Sequence, residues 1–218
     1  MTDKHRRFLG PVVEMRKLHD SAEQRIVHSA EMLDRKSLAS VGDTTGERLT
    51  ALLTETKAHT PEELAANVAR IGELLGRFAL YVPARFTDDP AEQAKYWAVR
   101  SGIFPAVGGS RPAGTTCLSE DVAFHIEDLP RATAELQALI ARHGYDACIY
   151  GHALEDNYHF IINQSFSPPA EVARYEALMN DVAELVSAGT TARSKPSTAR
   201  GATWRPSSAA SRATTPWP

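Results

Sequence analysis

The sequence predicts an α+β domain, with an antiparallel or mixed sheet covered by helices on one face. Helical and strand-like segments alternate from about residue 31 to residue 186, and the clearest helical stretches carry a single apolar face each. Two strand-like runs also flank a short polar turn between Gly151 and Tyr158. The 218 residues hold one good-sized core, or one domain plus tails.

Leu49 to Glu55 reads as a strand. Pro61 to Phe78 is a helix with Leu64, Val68, Ile71, Leu74 and Leu75 at helical spacing. Its start is marked by Thr60 as N-cap, Pro61 at the first helical position and Glu63 three residues after the cap. Leu80 to Phe86 is strand-like, with Pro83 pushing it towards an edge or a bulge. Asp89 caps a helix that opens at Pro90, carries Tyr96, Trp97 and Arg100, and is expected to stop near Gly102 to Pro105. After the breaker-rich loop Gly108 to Gly114, Thr115 to Ile126 resumes as a strand. Leu129 to His143 is an amphipathic helix with Gly144 as its stop. Ala147 to Gly151 and Tyr158 to Gln164 are the arms of a hairpin, and Pro169 to Val186 closes the domain as a helix. Residues 1–28 are charged and weakly patterned, so no fold is assigned to them. The tail, residues 187–218, has no Asp, Glu, Leu, Ile, Val, Phe or Met, a composition that cannot bury a core and reads as disordered.

The formal net charge of -3 and pI near 6.2 argue against a nucleic-acid partner, which favours a basic stripe. Two cysteines, Cys117 and Cys148, lack a CxxC spacing and read as small core residues in a reducing compartment. No apolar run approaches a membrane span and no secretion signal is visible, so a soluble, cytoplasmic chain is expected.

The chemistry concentrates in Tyr150-Gly-His-Ala-Leu-Glu-Asp-Asn-Tyr-His-Phe160, which sets His152 and His159 on either side of the turn. Two neutral imidazoles can begin a divalent-metal site, and two imidazolium groups can hold a carboxylate. Five of the other six histidines, His5, His19, His28, His59 and His143, read as surface or hydrogen-bonded residues. Glu120 and Asp121, as strand neighbours, point to opposite faces and cannot share acid/base work. Asn157 is first a turn residue and only second a ligand.

That motif, together with Tyr96-Trp-Ala-Val-Arg-Ser-Gly-Ile-Phe-Pro-Ala-Val107, Gly114-Thr-Thr116, Glu120-Asp-Val-Ala-Phe124 and Glu171-Val-Ala-Arg-Tyr175, resembles the C-terminal domain of FAD-linked oxidases. This is the family of D-lactate dehydrogenases, flavin-dependent glycolate oxidases and D-2-hydroxyglutarate dehydrogenases, and the likeness is to its large bacterial members. Fainter likeness reaches back to Glu31-Met-Leu-Asp-Arg35 and Leu52-Leu-Thr-Glu55. The resemblance implies a ferredoxin-like substrate-binding cap over a separate FAD-binding domain. The chain would then be a fragment of an FAD-dependent dehydrogenase that oxidises a D-2-hydroxy acid to the 2-oxo acid, cytoplasmic or peripheral to the inner membrane. It makes His152 and His159 ligands of a divalent metal such as zinc, and Arg100 the residue that grips the substrate carboxylate, work suited to a guanidinium fork. Asn157 and Glu120 are secondary site candidates. Asp156 stands where the family motif usually has glycine, which implies a left-handed or strained residue there.

A later family motif, A-E-H-G-x-G-R, is absent as written. Reading the third base of each codon with the first two of the next, residues 192–203 can be decoded as S-L-K-A-E-H-G-T-G-R-N, which implies a single-base shift near Val186 or Ser187 and an out-of-frame tail. Two rival readings stand beside the dehydrogenase. One is a small metal-binding protein or metallohydrolase that uses His152 and His159 with Asp156 or Glu155 as third ligand; the other is a non-catalytic interaction module.

Overall fold

A computed structural model describes residues 3–20, 25–42 and 50–191. Its strands are β1 (Ser29–Leu33), β2 (Ala51–Glu55), β3 (Thr116–Ala123), β4 (Cys148–His152) and β5 (Asn157–Gln164). They form one sheet in the order β2-β1-β4-β5-β3, every neighbouring pair antiparallel. Among the described residues six helices surround it: α1 (Asp3–His19), α2 (Arg35–Ser40), α3 (Pro61–Leu75), α4 (Pro90–Gly109), α5 (Leu129–Arg142) and α6 (Pro169–Thr191). The α+β class is as the sequence predicts.

Alternation along the strands sorts side chains onto two faces. On one, Met32, Ile149, Tyr158, Phe160, Leu118 and Val122 pack against Val12 and Met15 of α1, Ile71 of α3, Leu136 of α5 and Leu178 and Val182 of α6. On the other, Leu33, Cys148, Tyr150 and Ile161 meet Leu38 of α2 and Ile103 of α4. Helices therefore cover both faces, not one. The second layer is thin, and the part of the sheet that it leaves uncovered carries polar side chains.

Local signals explain several elements. Thr60 accepts from the Glu63 amide at 3.1 Å, while the Glu63 carboxylate accepts from the His59 amide at 2.9 Å. Asp89 caps α4 through the Ala91 amide at 2.9 Å. Four expectations fail for physical reasons. Residues 3–19, left without a fold, form α1, whose interior Pro11 and weak apolar pattern hide a helix that buries Val12 and Met15 completely. Helix α4 runs through Pro105 to Gly109, because the fully buried Ile103 supplies packing that offsets the roughly 3 kcal/mol proline cost. Leu80 to Phe86 is not a strand: Tyr81 and Val82 stand 75% and 65% exposed, and among the described residues no strand pairs with the segment. Helix α6 continues past Val186 to Thr191, so the first residues assigned to the disordered tail are helical, and residues 192–218 lie outside the described residues.

Among the described residues no helix is long and apolar enough to cross a membrane. Cys148 is buried and Cys117 half-buried, both as free thiols; burial pushes the Cys148 thiol up to about 12, which leaves it unreactive.

Candidate functional site

The thinly covered sheet face holds the residues that the motifs singled out. Antiparallel register makes Glu31 the cross-strand partner of His152, Tyr150 the partner of His159, and His159 the partner of Asp121. All five side chains project to one side, where cross-strand neighbours lie within contact distance. His152 and His159 are diagonal neighbours with ring centroids 5.5 Å apart and nearly perpendicular planes.

Each imidazole is tethered at Nδ1 by a carboxylate. His152 meets Glu31 Oε1 at 2.5 Å, and His159 meets Asp121 Oδ1. With Nδ1 so occupied, the neutral form of either imidazole keeps its lone pair on Nε2. The second oxygen of Glu31 accepts from Arg100 Nε at 3.1 Å, and the Arg100 guanidinium lies 5.1 Å from the Tyr150 ring centre. Glu31 is 3% exposed. The terminal nitrogens of Arg100 have no polar partner among the described residues and line an open groove with Glu31, His152, Trp97 and Ser101. Burial raises the Tyr150 phenol above its usual range, with Arg100 pulling it back, so the ring acts as a neutral wall.

The hairpin that carries the histidines has its own supports. Gly151 has φ 155°, and a Cβ there would lie 2.6 Å from the Asn157 carbonyl and 2.8 Å from the Tyr158 Cα, so the close approach of β5 requires glycine. Asp156 sits in the left-handed region at φ 61°, as the missing glycine implies. Its carboxylate lies 3.3 Å from Arg16 Nη1 of α1, and the same nitrogen donates to the Leu154 carbonyl.

The structure brings together His152, His159 and Arg100. Asn157 starts β5 on the same face, and its buried Oδ1 lacks a hydrogen-bond partner among the described residues. Glu120 does not belong to the site: it points to the opposite face, buried, and accepts from the Tyr175 hydroxyl at 2.8 Å. Its separation from Asp121 follows the strand alternation. Asp156, a third ligand in the metallohydrolase reading, is bound to Arg16 instead, and Glu155 is exposed. Among the described residues no group of three or more His, Cys, Asp or Glu is arranged to hold a metal ion. Two histidines alone do not make a complete ligand set for a divalent ion. Sequence reasoning missed Glu31 and Asp121 as tethers. The signal for Glu31 was a lone acid inside the apolar run Ala30 to Leu33; Asp121 shows itself only through strand register.

Comparison with known proteins bears on the family and the fold. A family model described as FAD linked oxidases, C-terminal domain, matches residues 15–190. A solved structure, 4-ethylphenol oxidase from Gulosibacter chungangensis in complex with isoeugenol, is similar in fold with a TM-score of 0.51 at 11% identity. The match covers 88% of this chain and 43% of that one, so the chain spans less than half the length of the solved relative. No curated protein matches the chain in sequence. With the model match spanning the whole sheet and most of the helical layer, this chain belongs to the family of FAD linked oxidases, C-terminal domain.

Proposed function

We propose that this chain is the substrate-binding cap of an FAD-dependent dehydrogenase that oxidises a D-2-hydroxy acid to the 2-oxo acid. The observation that carries the proposal is Arg100. Its Nε edge is tied to buried Glu31, and its terminal nitrogens lie open in the groove beside His152. A guanidinium held at one edge and open at its end is a preorganised receptor for a carboxylate, since the two terminal nitrogens can bond both oxygens at once. His152 Nε2, on the same face, would accept from or polarise the neighbouring hydroxyl.

The family implies FAD, and the sequence has no GxGxxG fingerprint after a strand. We place the flavin on a separate domain. Redox chemistry belongs to that flavin, and the residues here bind, orient and shield the substrate. Tyr81, Val82, Tyr96, Trp97 and Phe104 leave apolar surface exposed along the segment before α4 and on α4 itself, which suits contact with that second domain. Where a divalent ion such as zinc takes the two Nε2 atoms, it replaces His152 in polarising the hydroxyl, and it needs further ligands. The out-of-frame decoding of residues 192–203 supplies a glutamate and a histidine for that purpose, and nucleotide sequencing tests it: Ser197 encoded by TCN rules the shifted motif out.

Binding of D-lactate, glycolate, D-2-hydroxyglutarate and 4-ethylphenol to the purified chain, followed by NMR, tests the substrate class. The hydroxy acids are expected to shift Arg100 and His152 resonances, and R100K to weaken them about tenfold by removing the fork. A response to 4-ethylphenol alone would instead favour a phenolic substrate, as in the name of the solved relative.

A further inference from the structure

Glu31 touches two of the three residues assigned a role, and it is the most buried member of the group. Its carboxylate comes from β1, the imidazole of His152 from β4 and the guanidinium of Arg100 from α4, so one side chain ties three elements together. We propose that Glu31 is the positioning residue of the site, fixing the tautomer of His152 and the aim of Arg100 with its two oxygens.

The geometry divides the carboxylate cleanly. Oε1 takes His152 Nδ1 at 2.5 Å, and Oε2 takes Arg100 Nε at 3.1 Å. A carboxylate has only acceptors, so the proton of the neutral imidazole must lie on Nδ1 and the lone pair on Nε2. Arg100, held by Nε and by the face of Tyr150, cannot swing its terminal nitrogens away without giving up a buried charge-assisted bond. Asp121 makes the same contact with His159, yet its side chain is 55% exposed, where water competes and such a pair contributes little. Glu31, with a side chain 4% exposed, is where the bond is strong enough to set an orientation. Glutamine shows why a carboxylate is needed. Its single carbonyl oxygen serves one donor, and its NH2 group faces the other donor with another donor.

The positioning role is independent of the substrate, while its use in gripping a 2-hydroxy acid rests on the function proposed above. The test is NMR of the ¹⁵N-labelled 218-residue chain. In the wild type, His152 is expected to show a protonated Nδ1 and a bare Nε2, with a resolved, slowly exchanging Arg100 Nε–H. In E31Q the amide spectrum away from β1 is expected to stay unchanged, while the His152 tautomers mix or Arg100 Nε–H exchange quickens about tenfold. A wild-type His152 protonated at Nε2 overturns the proposal whether or not E31Q folds, and so does an E31Q chain with both signatures intact. In R100K the His152 tautomer is expected to persist, because Oε1 still accepts; its loss would show that Arg100, not Glu31, sets the ring. Adding D-lactate separates the two readings. If E31Q moves the signatures but D-lactate shifts nothing in the wild type, the positioning role stands and the substrate assignment fails.

Discussion

Arg16 of α1 and Asp156 at the tip of the histidine hairpin are joined across 140 residues of sequence, Nη1 to Oδ1 at 3.3 Å, and the same nitrogen donates to the Leu154 carbonyl. The two bonds differ in consequence. Asp156 is partly exposed, so its ion pair contributes about 0–1 kcal/mol, and its left-handed backbone costs about 1 kcal/mol. D156G is therefore expected to leave stability within about 1 kcal/mol of wild type. R16A strands the carbonyl of buried Leu154 and is expected to cost about 1–3 kcal/mol. Urea midpoints of both variants check the ranking, and equal losses would sink it.

Gly151 offers a sharper outcome. An alanine Cβ would press on the backbone of Asn157 and Tyr158, atoms that no rotamer change can move. G151A is expected to lose about 3–5 kcal/mol and to appear as a large fall in thermal midpoint or as insoluble protein. A G151A chain as stable as the wild type would mean that β4 and β5 do not approach as described.

Zinc titration by calorimetry separates an incomplete metal site from a self-sufficient one. With two imidazoles in place, the chain is expected to bind no tighter than about 1 μM. H152A and H159A should each abolish that binding, while D156A leaves it unchanged because Asp156 is engaged by Arg16. Nanomolar binding that depends on Asp156 would revive the metallohydrolase reading.

Asp34, buried at the start of α2, caps the Ser37 amide at 2.7 Å, yet burial lifts its carboxyl above the usual 3.8. The native state then holds a proton at pH values where the unfolded chain has released it. Stability from this group is present in acid and is lost as pH rises from about 3.8 through the raised native value. D34N retains the cap without the titration. Relative to D34N, the wild type should lose unfolding free energy over that window, and a difference that is flat with pH would contradict the shift.

Much of this was readable from local sequence. Helix α3 announced itself through Thr60, Pro61 and Glu63, and the hairpin through its glycine and flanking strand residues. Helix α1, with Gly10 and Pro11 in its path, gains its stability from tertiary contacts, and β1 and α2 are too short to give a periodic signal. His152, His159 and Arg100 could be named because a motif marks them. Glu31 could not, because its role depends on which strand lies beside β1, and register across long separations leaves no local trace.

Strand β1 lies inside the sheet, between β2 and β4, although it comes first in sequence among the described strands. Glu31 and His152 are 121 residues apart, so their bond has to wait until nearly the whole domain has left the ribosome. Pairings of such long range are slow to form and costly in loop entropy. Until the hairpin docks, β1 has only β2 on one side, and Glu31 faces water rather than its two donors. The site thus depends on the longest-range strand pairing of β1, so whatever loosens the docking of β4 on β1 also separates Glu31 from His152.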